Sequence, residues 1–414
     1  MRMKRKDTPS RSRETNLMAA KRPNQSEERT LSRAGFLKAS GGFLTATALG
    51  QYCTTGANRY PSGTSDPLQS AQSAGLDSPI LQILNAGISA PNPHNTQAWK
   101  FRILSPTEAL LYVDETRVLP QTDPTTRQVH MGQGCFLEIA AVSAGQVGYD
   151  ASVDLFPENY KASDAGNKPV ASIKLTPSSN KDPLYPFVAN RHTVRAAYDG
   201  PAITHREYQT LASLASPHVS ELRATPAADL KQHLEFHMSG FEAEMKDFNT
   251  AEESRLWFRI GNDEIYSKRD GISLAGNGIT GFQKWFIETF FLSHDPKDYY
   301  DPDGQKIFMD RYRENLFTAK GQVLFITKTN TVKDWVLCGR DYARYQLAAA
   351  SLGLVMRPTS QLMQEFASMQ PLAQKYNEFV GVKSPAKIQI NALIGRADVD
   401  FLSPRRPLQD MIRA

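Results

Sequence analysis

Hydrophobic and polar positions sort most of the chain into short elements of two periods. Residues 79–88 follow a helical period and lead into the turn sequence Ala90-Pro91-Asn92-Pro93-His94-Asn95-Thr96-Gln97-Ala98-Trp99. Alternating runs at 99–104 (within WKFRILS) and 109–113 (ALLYV) predict two strands, with two more near 151–156 and 170–175. Beyond about residue 182 the pattern predicts a helix near 204–215 and helical segments through 227–247. A Gly- and aromatic-rich stretch follows at 255–300, then a strand at 322–327 (QVLFIT). The chain closes on IQINALIGRADVDFLSPRRPL, a strand followed by a basic tail. Strands and helices mix without strict alternation, which makes the fold class α+β.

Two of the helical patterns resemble each other. Residues 131–148 (MGQGCFLEIAAVSAGQVG) and 339–356 (GRDYARYQLAAASLGLVM) align at an offset of 208, placing Ile139–Gly145 on Leu347–Gly353. Each reads as a small-residue helix that packs closely and stops at a glycine. An internal duplication follows from this, with a first half at 78–181 and a second at 182–414.

Composition narrows the function. The chain has 414 residues, 40% of them hydrophobic and 22% charged. No run of about 18 uninterrupted apolar residues exists, so a stable membrane span is not expected. Three cysteines cannot build a disulfide scaffold. The formal charge of +5 is misleading, because residues 1–38 hold 11 Lys+Arg against 4 Asp+Glu. The body is therefore slightly acidic, and nucleic acid is not an expected partner.

Residues 1–53 read as an export-type leader: a basic region, then an apolar small-residue run from Ala39 to Gly50. Ser32-Arg33-Ala34-Gly35-Phe36-Leu37-Lys38 resembles the twin-arginine export signal, with Ala34 where the second arginine belongs. A periplasmic or otherwise exported location is the expectation, with the cytoplasm as the alternative. Residues 54–77, rich in Gly, Ser, Thr and Pro, read as a linker.

Several motifs are decoys. Gly276-Asn277-Gly278-Ile279-Thr280-Gly281 fits a dinucleotide glycine pattern but lacks the buried strand before it and the acidic residue after it. His233 and His237 share a helix face without a third ligand nearby. Three other segments point to chemistry. Arg191-His192-Thr193-Val194-Arg195 places two guanidiniums and a hydroxyl together, a combination that suits phosphate. Ser403-Pro404-Arg405-Arg406-Pro407 is a second basic cluster, and Asn92, Asn95 and Gln97 form an amide-rich turn suited to a polar heterocycle. Together they suggest an anion joined to a planar ring.

APNPHNTQAW resembles the nitroreductase signature A-P-S-x-x-N-x-Q-P-W, RHTVR resembles the R-x-S-x-R phosphate motif, and SPRRPL resembles the C-terminal K-x-R-x-P-L motif. Their spread over one long chain, roughly 78–410, is similar to the Acg-like branch of flavin nitroreductases, a fused pseudo-dimer. The resemblance implies one FMN site across the pseudo-dimer interface, with the turn from the first half and the phosphate motifs from the second. Carried over, Arg191, Thr193, Arg195 and Arg405 match phosphate ligands, with His192 inside the motif. Pro91, Asn92, Pro93 and Asn95 match the turn over the ring and ribityl chain, and Gln97 a ring or ribityl contact. Thr359, Ser360 and Gln361 fall where the family offers backbone contacts to the reactive edge. The family also implies hydride or electron transfer from NAD(P)H or another electron donor to a nitroaromatic or quinone-type acceptor. The alternative is an FMN-sequestering protein whose lid, at 255–300, stays shut. A non-flavin nucleotide or phosphate binder is a third reading, and a monomer fits a fused pseudo-dimer better than a homodimer.

Overall fold

The computed structural model describes residues 59–398 and 401–413, so the leader and the start of the expected linker lie outside the described residues. The remainder of that linker is not one. Asp66 accepts the Gln69 N–H and opens helix α1 (Pro67–Ser73), with proline at a position whose amide needs no partner. Tyr60, Ala71 and Leu76 are buried in the main core. A Gly/Ser/Thr-rich composition stays flexible only where no apolar side chain finds a core, and here three do.

Ser78 caps α2 (Pro79–Gly87). Strands β1 (Trp99–Ser105) and β2 (Glu108–Val113) form an antiparallel hairpin. Helix α3 (Arg127–Ala144) follows, then β3 (Tyr149–Leu155) and β4 (Ala171–Pro177). The sheet order is β1-β2-β4-β3, antiparallel throughout.

Thr204 and Glu207 close a capping box on α4 (His205–Ala215), where each satisfies an amide of the first turn. Strand β5 (Glu221–Ala224) leads to a largely helical insertion. It holds α5 (Leu230–Lys246), α6 (Phe248–Leu256), β6 (Phe258–Arg259), α7 (Gly261–Lys268), β7 (Ile272–Ser273), α8 (Gly281–Phe290), α9 (Pro296–Tyr299) and α10 (Pro302–Leu316). Strand β8 (Gly321–Thr327), helix α11 (Val332–Ser351), strand β9 (Val355–Pro358), helix α12 (Gln370–Val380) and strand β10 (Lys387–Gly395) complete the second half. Its sheet order is β5-β8-β10-β9, again antiparallel.

The two sheets share one topology. In each, a long helix joins the second strand to the third, and the fourth strand inserts between the second and third. Helices α3 and α11 pack against each other at the centre, and two glycines set their distance. A Cβ at Gly134 would lie 1.9 Å from the Val336 carbonyl oxygen, and one at Gly339 would lie 2.0 Å from that of Met131. These contacts exchange under an offset of 205, which carries Met131 to Val336 and Gly134 to Gly339. The same offset carries the N-cap Thr126 to the N-cap Thr331. It also carries Gly148 (φ 85°) to Gly353 (φ 66°), both in the left-handed region. The offset of 208 read from side-chain similarity is therefore corrected to 205. Gly145, which it placed on Gly353, has right-handed helical φ/ψ.

Candidate functional site

The turn after α2 is held in a costly shape. His94, Asn95 and Gln97 have φ of 48°, 51° and 53°, a region that costs side-chain-bearing residues about 1–3 kcal/mol each unless the surroundings enforce it. Asn92 Oδ1 accepts the Gln97 N–H at 2.8 Å, and Asn92 Nδ2 donates to the Ala90 carbonyl at 3.1 Å. The main clamp is Arg405. Its Nε donates to Ile88 O (2.6 Å), its Nη2 to Ser89 O and Ala90 O (3.1 Å each), and its Nη1 to Asn95 Oδ1 (3.0 Å), Ser403 O and Pro404 O. The fork thereby ties the C-terminal tail to the turn.

Thr193 pairs with Met356 in an isolated parallel bridge, and the Val194 N–H donates to Met356 O at 3.1 Å, so the arginine segment runs beside β9. A four-residue stretch reaches at most ~14 Å, which is enough to part its two arginines. Arg191 lies in the electrostatic reach of Arg59, and burial with that neighbour brings its pKa down to about 9. Arg195 instead neighbours Arg357 and Tyr312; its pKa is lowered by burial and then by Arg357. The two arginines thus have different cationic neighbours.

One cavity of about 270 Å³ collects these pieces. Pro91, Asn92, Pro93 and Asn95 line it from the first half, as do Arg191, His192, Thr193, Arg195, Ser360, Gln361 and Arg405 from the second. Gln97 and Thr359 do not. Gln97 is buried behind the turn, where its Nε2 donates to Arg269 O (2.8 Å) and its Oε1 accepts the Arg406 N–H (2.9 Å). Thr359 donates its N–H to Asn391 O beside β10. Gln97 and the Thr359 N–H thus tie the chain together away from the cavity wall. Arg405 lines the cavity but spends its fork on five backbone oxygens and Asn95 Oδ1, so it positions the turn first of all.

Several lining residues escaped sequence reasoning. Arg59 is buried in the wall. Arg357 is 2% exposed, with its Nη1 unpartnered and its guanidinium 4.4 Å from the Tyr312 ring centroid. Glu244 accepts Gln364 Nε2 at 3.1 Å, and burial raises its pKa. His94 meets Ser254 Oγ at 3.0 Å. Of the aromatic residues in the expected lid, Phe258 and Tyr299 line the cavity, as do Gly271 and Gly276 of the same stretch. Trp285 and Phe290 are instead more than half exposed on α8. The stretch walls the cavity with its loops and short elements, and α8 faces away.

Burial makes the molecule acid-sensitive. It holds His94, His130 and His233 down to about 4 and His192 and His237 to about 3. The unfolded chain takes up these protons near pH 6.5 and the folded chain only lower. The imidazole contribution to stability is full above about pH 6.5 and is lost as pH falls toward 4–3. Asp123, raised to about 7 by burial, and Glu244 act in the opposite sense, two carboxyls against five imidazoles. Thermal melting across a pH series is expected to show a Tm that drops from pH 6.5 to 4.

No family model matches the chain. Two curated proteins of Mycobacterium tuberculosis do. The candidate NAD(P)H nitroreductase Rv3131 is 27% identical over 151 residues, 36% of this chain and 43% of its own length. The candidate NAD(P)H nitroreductase acg is 32% identical over 156 residues, 36% of this chain and 41% of its own length. The match thus spans less than half of either relative. Among solved structures, the FMN-dependent nitroreductase NfnB of Mycobacterium smegmatis, in complex with NADPH, aligns at TM-score 0.35. It is 15% identical, and the alignment covers 54% of this chain and 94% of that one. An FMN- and NADPH-dependent NfnB from a Sphigopyxis strain aligns at 0.37 with 15% identity, over 56% and 98% of the two chains. At these scores the superpositions carry no weight for fold or function. Over about a third of its length the chain is thus similar to two curated proteins named as NAD(P)H nitroreductases.

Proposed function

We propose that the cavity binds FMN between two duplicated halves and that the chain is a flavin-dependent oxidoreductase of nitroreductase type. One observation carries this reading. The turn at 91–95 and the segment at 191–195 lie about a hundred residues apart, in different halves, and line a single cavity. The shared sheet topology and the offset of 205 support the duplication.

The donors present fit the group. Arg59, Arg191, Arg195, Arg357 and Arg405 line the cavity, and none of them makes an ion pair with a carboxylate among the described residues. Buried guanidiniums without counter-ions call for an anion. Arg191 Nε and both ring nitrogens of His192 are buried and unpartnered, and the Arg191 N–H and the single N–H of a neutral imidazole can each donate to a phosphate oxygen. Gln361 Oε1 and Gln364 Oε1 are likewise unmet, which suits a ring that carries N–H groups as well as carbonyls. Met131, Cys135 and Ile390 give the wall an apolar surface.

Bound FMN would supply hydride and electron transfer between a donor such as NAD(P)H and a nitroaromatic or quinone-type acceptor. The chain's own part is to bind, orient and exclude water. Arg191 and His192 would hold the phosphate, while the clamped turn at 91–95 would fix the heterocycle. The loops of 258–277 would limit solvent access.

The full chain, mixed with FMN and freed of excess, should keep close to one flavin per molecule by visible absorbance. NADPH added anaerobically should bleach it, and a quinone or nitroaromatic should restore the colour. Retention of no flavin would reject the reading. Retention without bleaching by any reductant offered would reject the oxidoreductase part.

A further inference from the structure

We infer that Arg59, in the segment expected to be a linker, is a phosphate-binding residue and completes the anion site formed by Arg191 and His192. This rests on the FMN reading and adds to it a third strand of chain. Arg59 is 1% exposed and lines the cavity. Its Nη2 donates to Arg191 O at 2.6 Å, while its Nη1 reaches Val188 O only at 3.5 Å and its Nε has no partner. The group is therefore anchored at one nitrogen and unmet at another.

The backbone at Arg59 is held as firmly as a site residue requires. Its carbonyl accepts Arg405 N–H at 2.8 Å and Arg269 Nη2 at 2.9 Å. Arg269 in turn donates its Nε to Arg405 O at 2.7 Å. Two arginines, one of them in the C-terminal tail, thus fix one carbonyl of a segment with no regular structure. Burial and then Arg59 lower the Arg405 pKa, and the same pair of causes acts on Arg191. Three guanidiniums repel one another in a space without a carboxylate partner. The chemistry that relieves this is a phosphate monoester dianion, which accepts several N–H donors at once.

The test compares FMN with riboflavin, which lacks the phosphate. Arg59→Gln and Arg59→Lys are made in the full chain, and binding of each flavin is followed by fluorescence quenching. Melting of the flavin-free variants reports folding. Arg59→Gln is expected to weaken FMN about 10- to 100-fold, the value of one charge-assisted contact, and to leave riboflavin unchanged. Arg59→Lys should recover part of the FMN loss. If a folded Arg59→Gln keeps the wild-type ratio of FMN to riboflavin affinity, or loses both flavins equally, the inference is wrong. A wild-type protein that binds no flavin would remove the FMN reading but not this one. In that case inorganic pyrophosphate at constant ionic strength should raise the wild-type Tm and not that of Arg59→Gln, and equal shifts would overturn it.

Discussion

Alanine at Gly134 or Gly339 is expected to lower stability by about 2 kcal/mol or more, although alanine is the better helix former. Both glycines lie inside long helices, where Gly→Ala alone would gain about 1 kcal/mol. The opposing effect is larger. A Cβ at either position meets a backbone carbonyl at 1.9–2.0 Å, a contact that no rotamer change relieves. Overpacking of a core costs roughly 1–3 kcal/mol and more when backbone must move. The helices would have to part along the line where the two sheets' cores join. Gly148 and Gly353 are the controls, since a Cβ at either meets nothing within 4 Å. There alanine carries only the penalty of a left-handed φ, about 1 kcal/mol. Urea unfolding of the four variants separates crossing distance from backbone conformation. Equal losses at all four would mean that close packing of α3 on α11 is not what Gly134 and Gly339 provide. The effect should also reach the cavity, because Gly132 and Cys135 of α3 and Tyr342 of α11 line it. Weaker FMN retention in Gly339→Ala is therefore expected at temperatures where the variant stays folded.

The sequence shows the sheets and central helices plainly because their apolar periods are long and unbroken. The sites for β1 to β4, β8 and β10 lie within a few residues of their observed positions. Strand β5 and helices α10 and α12 were not legible. Glu221–Ala224 is too short to show a period, and α10 buries little but Leu316. The likeness of the two central helices was visible in composition, but at an offset three residues away from the one their packing follows. Side-chain similarity followed the Ala-rich faces, whereas the offset of 205 matches the helix crossing and the left-handed glycines. Most of the candidate residues that line the cavity were legible because their side chains are chemically distinctive. Gln97 and Arg405 look the same in sequence whether a polar group faces a ligand or a buried carbonyl, and only packing decides. Arg59 was hidden for the opposite reason. It sits in a stretch whose composition predicts flexibility, and its place depends on Arg269 and Arg405, more than two hundred residues away.

Arg405→Ala should then affect the site differently from Arg59→Gln. The Arg405 fork satisfies the carbonyls of Ile88 and Ala90 as well as Asn95 Oδ1, all at the turn, besides sharing Ser89 O with Arg191 Nη2 at 2.8 Å. Alanine leaves at least two of these acceptors without a donor. An unmet buried polar group costs about 1–3 kcal/mol, and hydrogen bonds to a charged partner lie at the upper end. A loss of about 3–5 kcal/mol is expected, a large share of the total stability of most domains. The turn would also be released from its left-handed residues His94 and Asn95, which hold their shape only under constraint. Affinity for FMN and for riboflavin should fall together, by tenfold or more, since the heterocycle contacts and the phosphate contacts are both disturbed. Arg405→Lys should restore little, because an ammonium cannot span six oxygens that a planar fork reaches. The two variants form a cross-check on the assignment. Selective loss of FMN with riboflavin intact in Arg405→Ala would show that the guanidinium serves the phosphate directly and that the turn stands without it. Loss of both flavins together with a lowered Tm would identify the fork as the clamp on which the turn depends.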